Sequence, residues 1–194
     1  KDLPGFDFTA FYARGGILGP LRDKNSLPML TVQGFGDHQV AMNLAAGVLA
    51  ALFKAKMTGE GDHVVVSLFH SAIWDISLML QASQYGADST QYPMERWKLG
   101  NPLVLCYETA DGQWLQIAMP QYDRHYPILM NAMGYPELAD DARYYPQKNL
   151  IPNREEFSAW ITAEFKKKTC DEWCKLLDTN DLPYAIAQEW DSLL

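Results

Sequence analysis

The sequence predicts an α/β fold: a piece of an open α/β unit, followed by a smaller α+β unit. Three observations carry this reading. Between Asp37 and Gln84 an apolar helix pattern, a short turn, a β-branched run and a second helix pattern follow one another. That is the order that builds an open sheet with helices on its faces. The texture changes near Tyr85, where residues 86–102 are rich in Gly, Asp, Ser, Pro and Asn, the composition of a linker. Beyond it, two strand-like runs flank Ala110-Asp111-Gly112, and further helical patterns follow. The expected units are residues 1–90 and 91–194.

In chain order, Asp7 to Ala13 reads as a helix with an aromatic face, ended by Gly15-Gly16. Gly19, Pro20, Asn25 and Pro28 make the next stretch a loop. The chain is organised around Gly34-Phe35-Gly36-Asp37-His38. Glycines on both sides of Phe35 allow positive φ or close backbone approach. Asp37 falls where an N-cap or first-turn acid falls, and capping is the role its position alone suggests. The helix from Asp37 to about Met57 is apolar nearly all round, with Val40, Leu44, Val48, Leu49, Leu52 and Phe53, so burial on most sides is expected. Its many Ala residues and Gly47 keep it slim. Thr58-Gly59-Glu60-Gly61-Asp62 is a turn, and Val64 to Leu68 reads as a strand buried on both faces. A helix over about 71–84 follows.

In the second unit, Leu103–Thr109 and Gln113–Met119 read as strands joined at Asp111-Gly112, a strong hairpin signal. A helix over 122–133 ends at Gly134. Asn153-x-x-Glu156 and Thr169-x-x-Glu172 are two capping boxes. They start helices of about 154–167 and 170–177, with Phe157, Trp160, Ile161, Phe165, Trp173 and Leu176 inward. The segment from Leu182 to Ala187 pairs as a short strand.

Composition excludes several classes. With 48% hydrophobic residues and mean hydropathy −0.21 the chain is globular rather than disordered. A net charge of −8 argues against nucleic acid and against anionic membranes. No run reaches the roughly 18 uncharged apolar residues of a membrane span; Leu44–Phe53 comes nearest before Lys54. Lys1 in place of Met predicts a start within a longer protein or after processing, and no signal peptide is expected. Three cysteines, an odd count, fit a reducing cytoplasm. Cys170 and Cys174 sit at i,i+4 without a second pair, so they read as structural thiols rather than zinc ligands. His38, His63, His70 and His125 are scattered, and no metal site is expected. Gly34-x-Gly36 lacks the third glycine of a dinucleotide fingerprint.

Taken together, Gly36-Asp37-His38, the slim Ala/Gly helix, Thr58-Gly59-Glu60-Gly61 and Val64-Val65-Val66-Ser67-Leu68 resemble the family III CoA-transferases of CaiB/BaiF type. Formyl-CoA transferase and the crotonobetainyl-CoA:carnitine enzyme belong to this family. The likeness extends to Phe6-Asp7-x-x-Ala10, to Gly100-Asn101-Pro102 and to Tyr107-x-Thr109-Ala110-Asp111-Gly112-x-Trp114, so it covers most of the chain. It implies part of a Rossmann-like large domain followed by a small α+β domain, in an interlocked homodimer. It also implies a cytoplasmic enzyme that moves CoA between an acyl-CoA and a carboxylic acid. Coenzyme A thioester would be a substrate, with no permanent cofactor and no metal.

The resemblance places the nucleophile at Asp37, with backbone N–H groups near Gly36 as oxyanion donors. Asp7 aligns with an acidic position near the active site. It would orient donor or nucleophile, or simply cap the turn before Thr9. His38 is adjacent, but a neighbour at i+1 on a helix points elsewhere. Leu68 and Trp97 are acyl-pocket candidates, with core packing as the alternative for both, as for Tyr107. Two other readings stand beside the transferase. A racemase on the same scaffold would need a His where this chain has Phe6. A non-catalytic assembly subunit would use Asp37 only as a cap. Family members are about twice as long, so the 194 residues read as a fragment expected to bind CoA poorly, and to be inactive, on its own.

Overall fold

The computed structural model describes residues 3–86 and 92–194. Residues 87–91 of the expected linker lie outside the described residues. The chain divides into two units, Lys1–Glu95 and Arg96–Leu194. Helix and sheet are both present, the three-stranded sheet lying in the second unit.

In the first unit a π-helical turn, Asp7–Ala13, is followed by α1, Phe35–Thr58, α2, Leu68–Asp75, and α3, Ser77–Gln84. Phe11, Tyr12, Ile17 and Ala72 make its small core, with Leu68 and Ile76 packed at the edge. The β-branched run does not form the expected strand. Ser67 is extended (φ −150°, ψ 153°), but this unit's described residues hold only a single bridge, Asp23 to Met94, and no ladder. A β-branched segment becomes a strand only against a neighbouring backbone. Here Val64 seats on α1 instead, where a Cβ added to Gly47 would lie 2.6 Å from Val64 Cγ1. Ser67 then caps α2, its hydroxyl accepting from the His70 N–H at 3.1 Å. The expected single helix over 71–84 is therefore two, starting earlier and breaking at Ile76 (φ −99°, ψ 10°).

α1 also departs from expectation. Gly36 is its one buried residue, and Met42, Leu49 and Phe53 are 71%, 66% and 70% exposed. Among the described residues its apolar sides meet the π-helical turn, α2 and Val64, and much of the rest is exposed. The uninterrupted run Leu44–Phe53 understated this helix. By length and composition α1 as a whole is long and apolar enough to cross a membrane, which corrects the expectation drawn from that run alone.

The second unit holds β1, Cys106–Glu108, and β2, Trp114–Ile117, then α4, Tyr122–Met133. Next come α5, Gln147–Leu150, α6, Arg154–Phe165, α7, Cys170–Thr179, and β3, Tyr184–Ile186. The antiparallel sheet runs β1-β2-β3, with Tyr107 opposite Leu115 and Gln116 opposite Ala185. β1 is shorter than expected because Pro102–Val104 forms a 3-10 turn, capped by the Asn101 side chain. Gly134 ends α4 at φ 89°. The core is aromatic: the Phe165 ring stacks on Tyr107 at 4.5 Å and on Trp173 at 4.4 Å. The Thr169–Glu172 capping box forms. The Asn153–Glu156 box does not. Asn153 donates to the carbonyls of Arg143 and Asn149, and Glu156 accepts from the Tyr144 hydroxyl at 2.8 Å. Both polar groups are satisfied by the preceding loop, which removes the drive to cap.

Asp111 ties the hairpin to α7. It accepts from the Thr109 hydroxyl at 2.5 Å and from the Cys170 N–H at 3.1 Å. The Thr109 bond, assisted by Cys170, holds this exposed carboxyl below its usual range. A lowered folded pKa contributes stability that is present above the unfolded value, about 3.9, and is lost as pH falls through the folded value. The urea midpoint should therefore fall on acidification below about pH 4. Asp111→Asn should flatten that limb. Parallel midpoint curves for the two proteins would count against this role for Asp111.

Candidate functional site

The start of α1 is built by residues far away in sequence. Gly34 is the N-cap, at φ 81° and ψ −1°, a left-handed conformation that costs glycine little. No N-cap side chain is therefore available to accept the orphan amides of the first turn. Asp7 supplies the acceptor from 27 residues upstream: Oδ2 takes the Gly34 N–H at 2.8 Å and Oδ1 the Gly36 N–H at 3.1 Å. Asp7 is only 6% exposed. It caps α1 and not its own turn, where no side-chain cap forms. A carboxylate on two amides at a helix N-terminus gains charge-assisted bonds and the favourable end of the helix dipole.

Gly36 is required by this contact. A Cβ there would fall 2.6 Å from Phe11 Cβ, and closer still to Phe11 Cγ and Asp7 Oδ1. Phe11, Tyr12 and Phe35 back the junction with ring centroids 5.4 to 6.3 Å apart. The Tyr12 hydroxyl donates to the Val32 carbonyl at 3.2 Å and lies 3.3 Å from the Val32 N–H. The approach to the helix is thus fixed on both sides of Gly34.

Asp37 stands in the first turn of α1 and is solvent-exposed. Among the described residues no hydrogen bond or ion pair engages its carboxylate, so it is not the cap that position alone suggested. His38 is exposed as well, and its backbone N–H bonds the Gly34 carbonyl at 2.9 Å. No described contact joins the two side chains. The Gly36 amide, expected as an oxyanion donor, is occupied by Asp7. The Asp37 amide is the first-turn donor that no described group accepts. Leu68 is partly buried against the Phe11 and Tyr12 core, its packing alternative. Trp97 belongs to the second unit and is 44% exposed. Phe6 is 68% exposed and offers no base. No group of three or more His, Cys, Asp or Glu among the described residues is arranged to hold a metal.

A buried acid thus clamps the helix start one residue ahead of an exposed carboxylate. The pattern of CoA-transferase family III matches residues 1–194, and the chain belongs to that family. It is 46% identical over 195 residues to cinnamoyl-CoA:phenyllactate CoA-transferase of Clostridium sporogenes, covering all of this chain and 47% of that one. It is 38% identical over 194 residues to (R)-2-hydroxy-4-methylpentanoate CoA-transferase of Clostridioides difficile, again over all of this chain and 48% of that one. A crystal structure of Rv3272 from Mycobacterium tuberculosis superposes with a TM-score of 0.78 at 25% identity, covering 98% of this chain and 49% of that one. A CaiB/BaiF family protein from Brucella suis shares the fold, with a TM-score of 0.76 at 21% identity over 95% of this chain and 48% of that one. The chain spans about half the length of these relatives.

Proposed function

We propose that this chain carries the nucleophile of a CoA-transferase, Asp37, and that the whole protein moves CoA between an acyl-CoA and a carboxylic acid. One observation carries the reading: an unpaired carboxylate in the first turn of a helix whose start is locked by a second, buried carboxylate. A carboxylate is ionised near pH 7 and needs no base to attack.

In the first step Asp37 adds to the thioester carbonyl and expels CoA thiolate, leaving a mixed acyl-aspartyl anhydride. The thiolate then attacks the aspartyl carbonyl of the anhydride, releasing the donor acid and forming an aspartyl-CoA thioester. The acceptor carboxylate attacks that thioester, and the sequence runs in reverse. Acyl activation is conserved at every step, so neither ATP nor a metal is consumed. Each addition develops an oxyanion, and the free Asp37 amide is the first-turn donor left to meet it. In other enzymes one such donor is worth about 2.7–4 kcal/mol.

Asp7 acts as a positioning residue by fixing the helix start, and Gly36 permits its approach. Leu68 and Trp97 remain acyl-pocket candidates. The names of the two clostridial relatives pair an aromatic or branched apolar group with an acid, and an acid of that class is proposed here. The large domain is proposed to be Rossmann-like, and the whole protein to be a cytoplasmic, interlocked homodimer. That association would give the uncovered apolar sides of α1 something to pack against.

Intact-protein mass spectrometry tests the nucleophile. The full-length protein that carries this chain is incubated with a panel of acyl-CoAs and then treated with hydroxylamine or borohydride. A modification on the peptide bearing Asp37 is expected, and the acyl-CoAs that give it define the donor. If CoA binds but that peptide stays unmodified across the panel, Asp37 is not the nucleophile.

A further inference from the structure

The second unit contains a cavity of about 390 Å³ between Arg96-Trp97, β1 and α6. Its walls are apolar and aromatic: Trp97, Leu105, Tyr107 and Ala159. The Arg96 guanidinium lies over the Tyr107 ring, 5.5 Å from its centroid. No ion pair engages it among the described residues. Its charge reaches this end of β1, where burial pushes the Cys106 thiol up and Arg96 opposes the rise. The second observation is Ser158. It lines the same cavity and is 7% exposed, and its buried hydroxyl has no hydrogen-bond partner. A buried hydroxyl left unpaired is costly, and native structures carry few of them. A guanidinium without an ion pair among the described residues and a hydroxyl without a hydrogen-bond partner, both lining one largely apolar cavity, describe a ligand with an apolar body and an anionic, hydrogen-bonding head.

We propose that this cavity binds a small monocarboxylic acid with an aromatic or branched body, the carboxylate pairing with Arg96 and a polar atom of the acid satisfying Ser158. A carboxylate is favoured over phosphate by the single cation and by Glu155, which also lines the cavity and would repel a doubly charged group. The ring or branch packs on Trp97 and Tyr107. The site is built wholly from the second unit and does not rest on the nucleophile assigned above.

The test is titration of the full chain with 3-phenylpropanoate, followed by tryptophan fluorescence and calorimetry, with 3-phenylpropan-1-ol as the uncharged control. The acid should bind and the alcohol should bind at least about tenfold more weakly, since a charge-assisted pair is lost. Arg96→Gln should weaken the acid by about tenfold or more, Ser158→Ala by a few-fold, and Glu155→Gln should tighten it. Ala159→Trp should fill the cavity and abolish binding. Far-UV circular dichroism and melting curves establish that each variant folds. Asp37→Asn should leave this binding unchanged, so transfer can fail while the site stands, and the reverse. Absence of saturable binding by the acid overturns the proposal. So does equal binding of acid and alcohol, or binding that survives both Arg96→Gln and Ala159→Trp.

Discussion

Asp37→Asn is expected to lower CoA transfer by at least about a thousandfold, the scale on which loss of a covalent nucleophile is felt, while leaving the fold intact. The two halves of this expectation have separate physical grounds. The carboxamide has nearly the size and shape of the carboxylate, but its oxygen is a poor nucleophile and cannot form the anhydride. The side chain is exposed and unpaired among the described residues, so no internal hydrogen bond is lost. What remains is the attraction between a first-turn acid and the helix dipole, about 0.3–1 kcal/mol at an exposed position. Thioester exchange followed by chromatography, together with a melting curve, checks both halves. A variant within tenfold of the parent rate would move Asp37 to a binding or structural role. Asp37→Glu sharpens the result. It restores the charge and moves it by one methylene, and a misplacement of about 1 Å costs on the order of a hundredfold. Activity near the parent for Glu with none for Asn would mean that a carboxylate is required and that the site seats the longer one, which would overturn the positional cost while leaving covalent attack in place.

The sequence made some elements legible and hid others, and the division follows the range of the interactions. Tyr122–Met133 with its Gly134 terminus, and the Thr169–Glu172 box, were readable because each is decided within a few residues. The hairpin at Asp111-Gly112 was readable for the same reason, Gly112 adopting φ 76°. Val64–Ser67 was misread because strand formation depends on a partner, and this unit's described residues offer none. The burial of α1 was misread because an apolar pattern states what a helix needs and not what lies beside it. At the candidate site, Asp37 and the glycines around Phe35 stood out locally. The role of Asp7 did not. Its bonds to Gly34 and Gly36 span 27 and 29 residues, and no spacing rule links an acid to a helix start at that distance. The one usable signal was negative: a helix opening on Gly-Phe-Gly has no side-chain cap of its own, so an acceptor must come from elsewhere. The cavity around Arg96 was equally silent, because its walls join the segment after the linker, a strand and α6.

Asp7→Ala is the second large effect expected, and it separates positioning from chemistry. Removing the carboxylate leaves the Gly34 and Gly36 amides without an acceptor. The Asp7 side chain is 94% buried by its exposure of 6%, so water reaches the gap poorly. Hydrogen bonds to charged groups contribute about 1.5–3 kcal/mol each, and a buried donor left unmade costs about 1–3 kcal/mol. These describe overlapping parts of the same loss, so a net destabilisation of the first unit of about 2–4 kcal/mol is expected, read from denaturant midpoints. Asp7→Asn should fall in between. Its amide oxygen can keep one of the two bonds, while its NH₂ faces the other N–H donor to donor. Catalysis should respond differently from Asp37→Asn. With Asp7 removed the nucleophile is still present on a looser helix start, so transfer at a temperature where the variant is folded should drop by about ten- to a hundredfold and not vanish. The acyl adduct on the Asp37 peptide should still form, only more slowly. Gly36→Ala gives the same junction a steric test. The added methyl would meet Phe11 and Asp7 together, and overpacking of this kind costs about 1–3 kcal/mol. Because both variants break one contact, their effects should be less than additive when combined. Full additivity, or an Asp7→Ala protein within about 0.5 kcal/mol of the parent, would show that the two amide bonds do not hold the helix start in place.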